Sequence, residues 1–133
     1  MVFGVGIDLV ETKRIEKTIA KFGDRFTRRT YSEDEIAYCQ KRSRPFLHFA
    51  ACFAVKEAFL KAVGAGLGEG FNLRDIETIH DSQGRPSVRL SGKAGEFLDS
   101  LGVHNTLVSV SHSDDYATAV VILAKEKGVH GFE

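Results

Sequence analysis

The sequence predicts an α+β domain, on three observations: an alternating strand at the start, three helical stretches over the first half, and two hairpins over the second. The 133 residues suit one domain with one core, and no repeat, low-complexity tract or linker divides them, so 1–133 is read as a single domain. Residues 3–10 alternate, with Val5, Ile7 and Leu9 on one face and Gly6, Asp8 and Val10 on the other, as a strand requires. From Thr12 the period changes. Ile15, Ile19 and Phe22 share a helical stripe, with basic residues mostly off it. Ser32-Glu33-Asp34-Glu35 has the form of a capping box and opens a second helix running to about Lys41.

The third helix is bounded by Pro45, suited to a first helical position, and Gly64, suited to the residue past the end. Between them runs FLHFAACFAVKEAFLKAV, apolar on nearly every side, which places the helix in the middle of the protein. It is long enough to raise the question of a membrane span. Lys56, Glu57 and Lys61 inside it argue against one, because charges at that density are costly in hydrocarbon. Beyond the glycine-rich 64–70 stretch, residues 74–80 and 87–90 read as a hairpin, 92–101 as a short helix, and 106–111 with 117–123 as a second hairpin. The last ten residues are expected to be loosely held.

Composition narrows the function classes. The 43% apolar and 27% charged shares are those of an ordinary water-soluble domain, and Met1-Val2-Phe3 lacks the basic start of a signal peptide. Two cysteines, Cys39 and Cys52, make neither a disulfide framework nor a zinc spacing, so a cytoplasmic protein with reduced thiols is expected. Net charge is zero but unevenly spread. Lys13, Arg14, Lys17, Lys21, Arg25, Arg28 and Arg29 are opposed only by Glu16 and Asp24, with Lys41, Arg42 and Arg44 beyond. That pattern fits a local acidic partner rather than nucleic acid, although a solvated helix face would look the same.

Charges within a buried helix need partners. Glu57 and Lys61, four apart, share a face and could form a simple ion pair, or could bind a cation and a phosphate side by side. Asp8, mid-strand where charge is disfavoured, could join Glu57 in an all-oxygen site suited to Mg²⁺, or could cap a helix near Thr12. Gly6 would let another group approach the backbone. The GAGLGEG stretch, Gly64 and Gly66 included, has no Gly-Lys-Ser/Thr and is no P-loop. It could admit a ligand to its backbone or could simply cap a helix. His112, in Ser111-His112-Ser113, is either a turn residue or a ligand contact at a strand end.

Three segments together resemble the holo-acyl-carrier-protein synthases, the small type of 4′-phosphopantetheinyl transferase. They are Val5-Gly6-Ile7-Asp8, the run Phe53–Ala62 (FAVKEAFLKA) and Val110-Ser111-His112-Ser113, and the likeness covers roughly residues 4–123. The resemblance implies Mg²⁺ held by Asp8 and Glu57, coenzyme A phosphates contacted by Lys61, and His112 at the coenzyme A pocket. It also implies a homotrimer whose sites straddle subunits, and an acidic acyl carrier protein docked on the basic segment, where Arg14, Lys21 and Arg25 are the candidate contacts. Cys52 departs from the pattern, which has an arginine there; Arg42, Arg44 or His48 could supply that charge. The implied reaction moves phosphopantetheine from coenzyme A to a carrier serine, releasing adenosine 3′,5′-bisphosphate. A Mg²⁺-dependent nucleotide hydrolase would use the carboxylates without needing the basic segment. A non-enzymatic carrier-binding module would use the segment without the carboxylates.

Overall fold

A computed structural model describes residues 1–64 and 70–125. Strand β1 (Val2–Glu11) leads into helices α1 (Thr12–Phe22), α2 (Asp24–Thr30), α3 (Glu33–Gln40) and α4 (Pro45–Val63). A short 3₁₀ turn, Leu73–Asp75, precedes β2 (Ile76–His80) and β3 (Pro86–Leu90); then come α5 (Gly92–Ser100), β4 (Val103–His112) and β5 (Tyr116–Lys125). The α+β expectation holds. One element went unread: the basic 13–29 segment is two helices, because Gly23 adopts φ +56 and breaks it between Phe22 and Asp24. The 126–133 tail, most of the stretch expected to be loosely held, lies outside the described residues, whereas Ala124 and Lys125 are in β5.

The main sheet has the order β1-β5-β4, antiparallel throughout, and β2 and β3 form a separate two-stranded ribbon. Helix α4 lies across one face of the main sheet, and its residues from Phe49 to Val63 supply the largest share of the core, with Ile15, Tyr31, Ile76, Leu98, Val121 and Leu123 around them. The reason it can lie so close is on β1. A Cβ at Gly4 would collide with the Ala62 carbonyl, and one at Gly6 with the Ala58 carbonyl. Two glycines two residues apart thus let a strand rest directly on a helix backbone.

That contact settles which face of β1 is inward. Gly4, Gly6, Asp8 and Val10 face α4, and the apolar set Val5, Ile7 and Leu9 points out, 57%, 64% and 65% exposed. In register, Val5 lies beside Ile122 and Leu107, and Ile7 beside Val120. With Leu107 59% exposed, these side chains make a continuous apolar sheet face that the described residues leave open to solvent.

Candidate active site

Positions 4, 6 and 8 of β1 descend along α4, so the side chain after the two glycines arrives beside the next turn of the helix. The Lys61 side chain, reaching back toward the start of the helix, meets Asp8 there. Lys61 Nζ donates to Asp8 Oδ1 at 3.0 Å and to the Ile7 carbonyl at 3.0 Å. The Asp8 carboxylate is 16% exposed and the Lys61 side chain 56%, so the pair sits at a protein edge that water and a ligand can reach. Thr118 Oγ1 donates to the Asp8 carbonyl at 2.8 Å and ties β1 to β5 at this row. Asp8 caps no helix; the residue at the start of α1 is Glu11, which makes no side-chain cap.

Glu57 is half-buried on the same side of α4. Burial raises its carboxyl above the ordinary carboxylate value, the charge of Asp8 raises it further, and Lys61 lowers it. Lys61 is bonded to Asp8, across elements, and Glu57 is left without a bonded cation among the described residues. Two carboxylates against one ammonium leave a negative site made wholly of oxygen donors. Such a donor set fits Mg²⁺, which needs one or two carboxylates and completes its shell with water and phosphate oxygens. No group of three His, Cys, Asp or Glu side chains among the described residues forms a protein-only metal cage.

A groove of about 360 Å³ extends from Asp8 and Glu57 along α1, over Ile15, Phe26 and Phe53, to Arg14. Arg25 borders a second, neighbouring groove with Phe22, Phe26, Arg29 and Phe71, and Lys21 lies beside the Phe22 ring. Arg14, Lys21 and Arg25 are all exposed, and Phe22, expected on the buried stripe, is 45% exposed among them.

Among the described residues, those expected to contact coenzyme A lie apart. Gly64 ends α4 with φ +113, its N–H bonded to the Leu60 carbonyl; Gly66 lies outside the described residues. His112 is in a third place. It stands two strands across and two residues along from Asp8, about 12 Å by strand geometry. There it lines a cavity of about 170 Å³ with Tyr38, His48, Cys52 and His80. Its ring is 5.8 Å from that of His48; Tyr38 stacks on His80 at 4.0 Å, and the Arg42 guanidinium lies 4.0 Å from the Tyr38 ring centre. Burial lowers the pKa of both His48 and His80.

This basic aromatic cluster was not foreseen beyond His48, Arg42 and His112, because its members come from three distant segments with no shared spacing. Cys52 is buried at 3% exposure, and its thiol is pushed up by a hydrogen bond with Cys39 and by burial. Arg44 is engaged with Asp114.

Comparison with known proteins bears on the family and the fold. A model of the 4′-phosphopantetheinyl transferase superfamily matches residues 4–121. The holo-[acyl-carrier-protein] synthase of Syntrophus aciditrophicus is 50% identical over 123 residues, 92% of this chain and 96% of that one. Among solved structures, the Neisseria meningitidis synthase superposes with TM-score 0.86 at 33% identity, over 94% of this chain and all of that one. The Helicobacter pylori synthase, solved in complex with coenzyme A, superposes with TM-score 0.78 at 32% identity, over 90% and 99%. On sequence and on fold alike, the chain belongs to the holo-acyl-carrier-protein synthase family of 4′-phosphopantetheinyl transferases.

Proposed function

We propose that the protein transfers 4′-phosphopantetheine from coenzyme A to a serine of an apo acyl carrier protein, with Mg²⁺ held by Asp8 and Glu57, and releases adenosine 3′,5′-bisphosphate. The observation that carries this reading is the meeting of Asp8, Glu57 and Lys61 at one accessible edge, where a single ammonium faces two carboxylates. Mg²⁺, when bound, offsets charge on the pyrophosphate. With Mg²⁺ on the carboxylates, Lys61, exposed at that edge, would be available to the phosphate oxygens as a mobile ammonium. The serine proton passes to Glu57 or to a water held beside it.

The carrier docks along α1 and α2. Arg14, Lys21 and Arg25 meet its acidic side chains, and the groove over Ile15, Phe26 and Phe53 leads its serine to the carboxylates. Three copies associate through the open apolar face of Val5, Ile7, Leu9 and Leu107. His112 and the cluster around it, remote from Asp8 within a chain, then serve a coenzyme A site shared between subunits. A reaction that moves the phosphopantetheine arm of coenzyme A to a carrier protein belongs in the cytoplasm, in support of fatty acid synthesis. No helix among the described residues is long and apolar enough to cross a membrane. The test is to incubate the protein with coenzyme A, Mg²⁺ and an apo carrier protein and to weigh the carrier: addition of one phosphopantetheine supports the reading, and hydrolysis of coenzyme A with an unchanged carrier mass overturns it.

A further inference from the structure

Helix α4 carries apolar side chains around nearly its whole circumference, and many of them are small: Ala50, Ala51, Ala54, Ala58 and Ala62. A helix without a polar face has no amphipathic preference for one rotation about its own axis. The glycines of β1 fix how closely the helix lies to the sheet, and the alanines at that contact resist rolling less than the buried rings of Phe49 and Phe59 do. Rolling matters here. With side-chain tips about 5–6 Å from the axis, a turn of about 20° moves each by about 2 Å, enough to take Glu57 away from Asp8.

Lys61 on Asp8 and the Tyr31 hydroxyl on the Phe49 carbonyl oppose it, and one further contact does so from inside the core. Lys56, the residue before Glu57, is completely buried, and its three N–H groups are all used: to Glu35 Oε1 at 2.7 Å, the Leu73 carbonyl at 2.9 Å and the Ile76 carbonyl at 2.6 Å. Glu35 is buried as fully. Its Oε1 also accepts from the Ser32 N–H at 2.9 Å and its Oε2 from the Thr78 N–H at 3.0 Å. The ammonium is thereby fixed by α3, the 3₁₀ turn and β2, about 160° round α4 from Ala58, which faces β1.

We propose that Lys56, through its buried pair with Glu35, is a positioning residue that sets the rotation of α4 and so aims Glu57 at Asp8. A buried polar contact among apolar surfaces is a known way of fixing register, since every other setting leaves charge unpaired. The proposal rests on the transferase reading above, and its test separates the two.

Glu35→Asp keeps both charges and draws the ammonium back by one methylene, while Lys56→Met with Glu35→Gln replaces the ion pair by an uncharged contact. Each is compared with wild type for cooperative melting, kcat, the KM for carrier, and the Mg²⁺ concentration giving half-maximal rate. The expected result is a folded protein whose kcat falls about 10–100-fold and whose Mg²⁺ requirement rises, with carrier KM unchanged, because a shift near 1 Å in a reacting group costs up to about 10²-fold. Folded variants with wild-type kcat and Mg²⁺ dependence would overturn the proposal. So would loss of folding in both, since the pair would then hold the fold rather than the direction of Glu57. Absence of Mg²⁺-dependent transfer by the wild-type protein would instead remove the functional reading beneath it.

Discussion

Replacing Gly6 by alanine adds one methyl group at the tightest point of the molecule. That carbon would overlap the Ala58 carbonyl oxygen and crowd the Ala62 amide, both backbone atoms of α4 that cannot rotate away as a side-chain end could. Non-bonded heavy atoms settle at about 3.5–4.0 Å, so β1 would have to withdraw from the helix by about 1 Å or more. Overpacking of this kind costs about 1–3 kcal/mol. For a chain of this size each kcal/mol corresponds to roughly 3–5 °C in melting temperature. The same withdrawal carries Asp8 away from Glu57 and Lys61, and up to about 10²-fold in kcat goes with it.

Gly95→Ala is the matched control. It sits inside α5 with its nearest neighbours at 3.5 Å, ordinary contact, and alanine there should gain up to about 1 kcal/mol from helix propensity. Thermal melts at one protein concentration, together with turnover measured at saturating substrates, compare the two variants. A Gly6→Ala protein that melts with wild type and turns over normally would refute the close packing of strand on helix as the device that places Asp8.

Glu57→Gln should raise the melting temperature of the metal-free protein at pH 7. A folded-state pKa above the ordinary 4.5 means that stability is lost as pH rises from that value to the folded one, so the gain should vanish on acidification below 4.5; an equal gain at every pH would contradict the raised pKa. Reversing charge at Arg14 and Arg25 should raise the carrier KM, more at low salt than at 0.15 M, where screening acts beyond about 8 Å, and leave the KM for coenzyme A unchanged. Equal loss for both substrates would count against carrier docking there. Ile7→Asp, on the open sheet face, should yield monomers by light scattering in place of trimers, with transfer activity lost; a wild-type protein that is monomeric at micromolar concentration would remove the proposed assembly.

Much of this was legible in the sequence because the signals were local. The apolar run of α4 between Pro45 and Gly64, the capping box at Ser32, and the alternation in β1 each reflect backbone physics within a few residues. The sidedness of β1 was not, since Val5, Ile7 and Leu9 look like a core face until Gly4 and Gly6 are seen against α4. The break at Gly23 was hidden because the basic pattern runs on through it. In the site, Asp8, Glu57 and Lys61 do converge, but the ion pair is Asp8–Lys61 rather than Glu57–Lys61. Lys56 visibly needed a partner inside an apolar helix; that the partner is Glu35, already engaged in a cap, required the third dimension.

The central claim is that the carboxylates of Asp8 and Glu57 together support Mg²⁺-dependent transfer, and the mass of the carrier protein tests it most directly. Apo carrier, coenzyme A and Mg²⁺ are incubated in turn with wild type, Asp8→Asn and Glu57→Gln, each variant first shown to be folded. The account predicts that the carrier gains one phosphopantetheine with wild type and keeps its apo mass with either variant at the same time point. Near-native conversion by a folded Asp8→Asn or Glu57→Gln protein at limiting Mg²⁺ would contradict it.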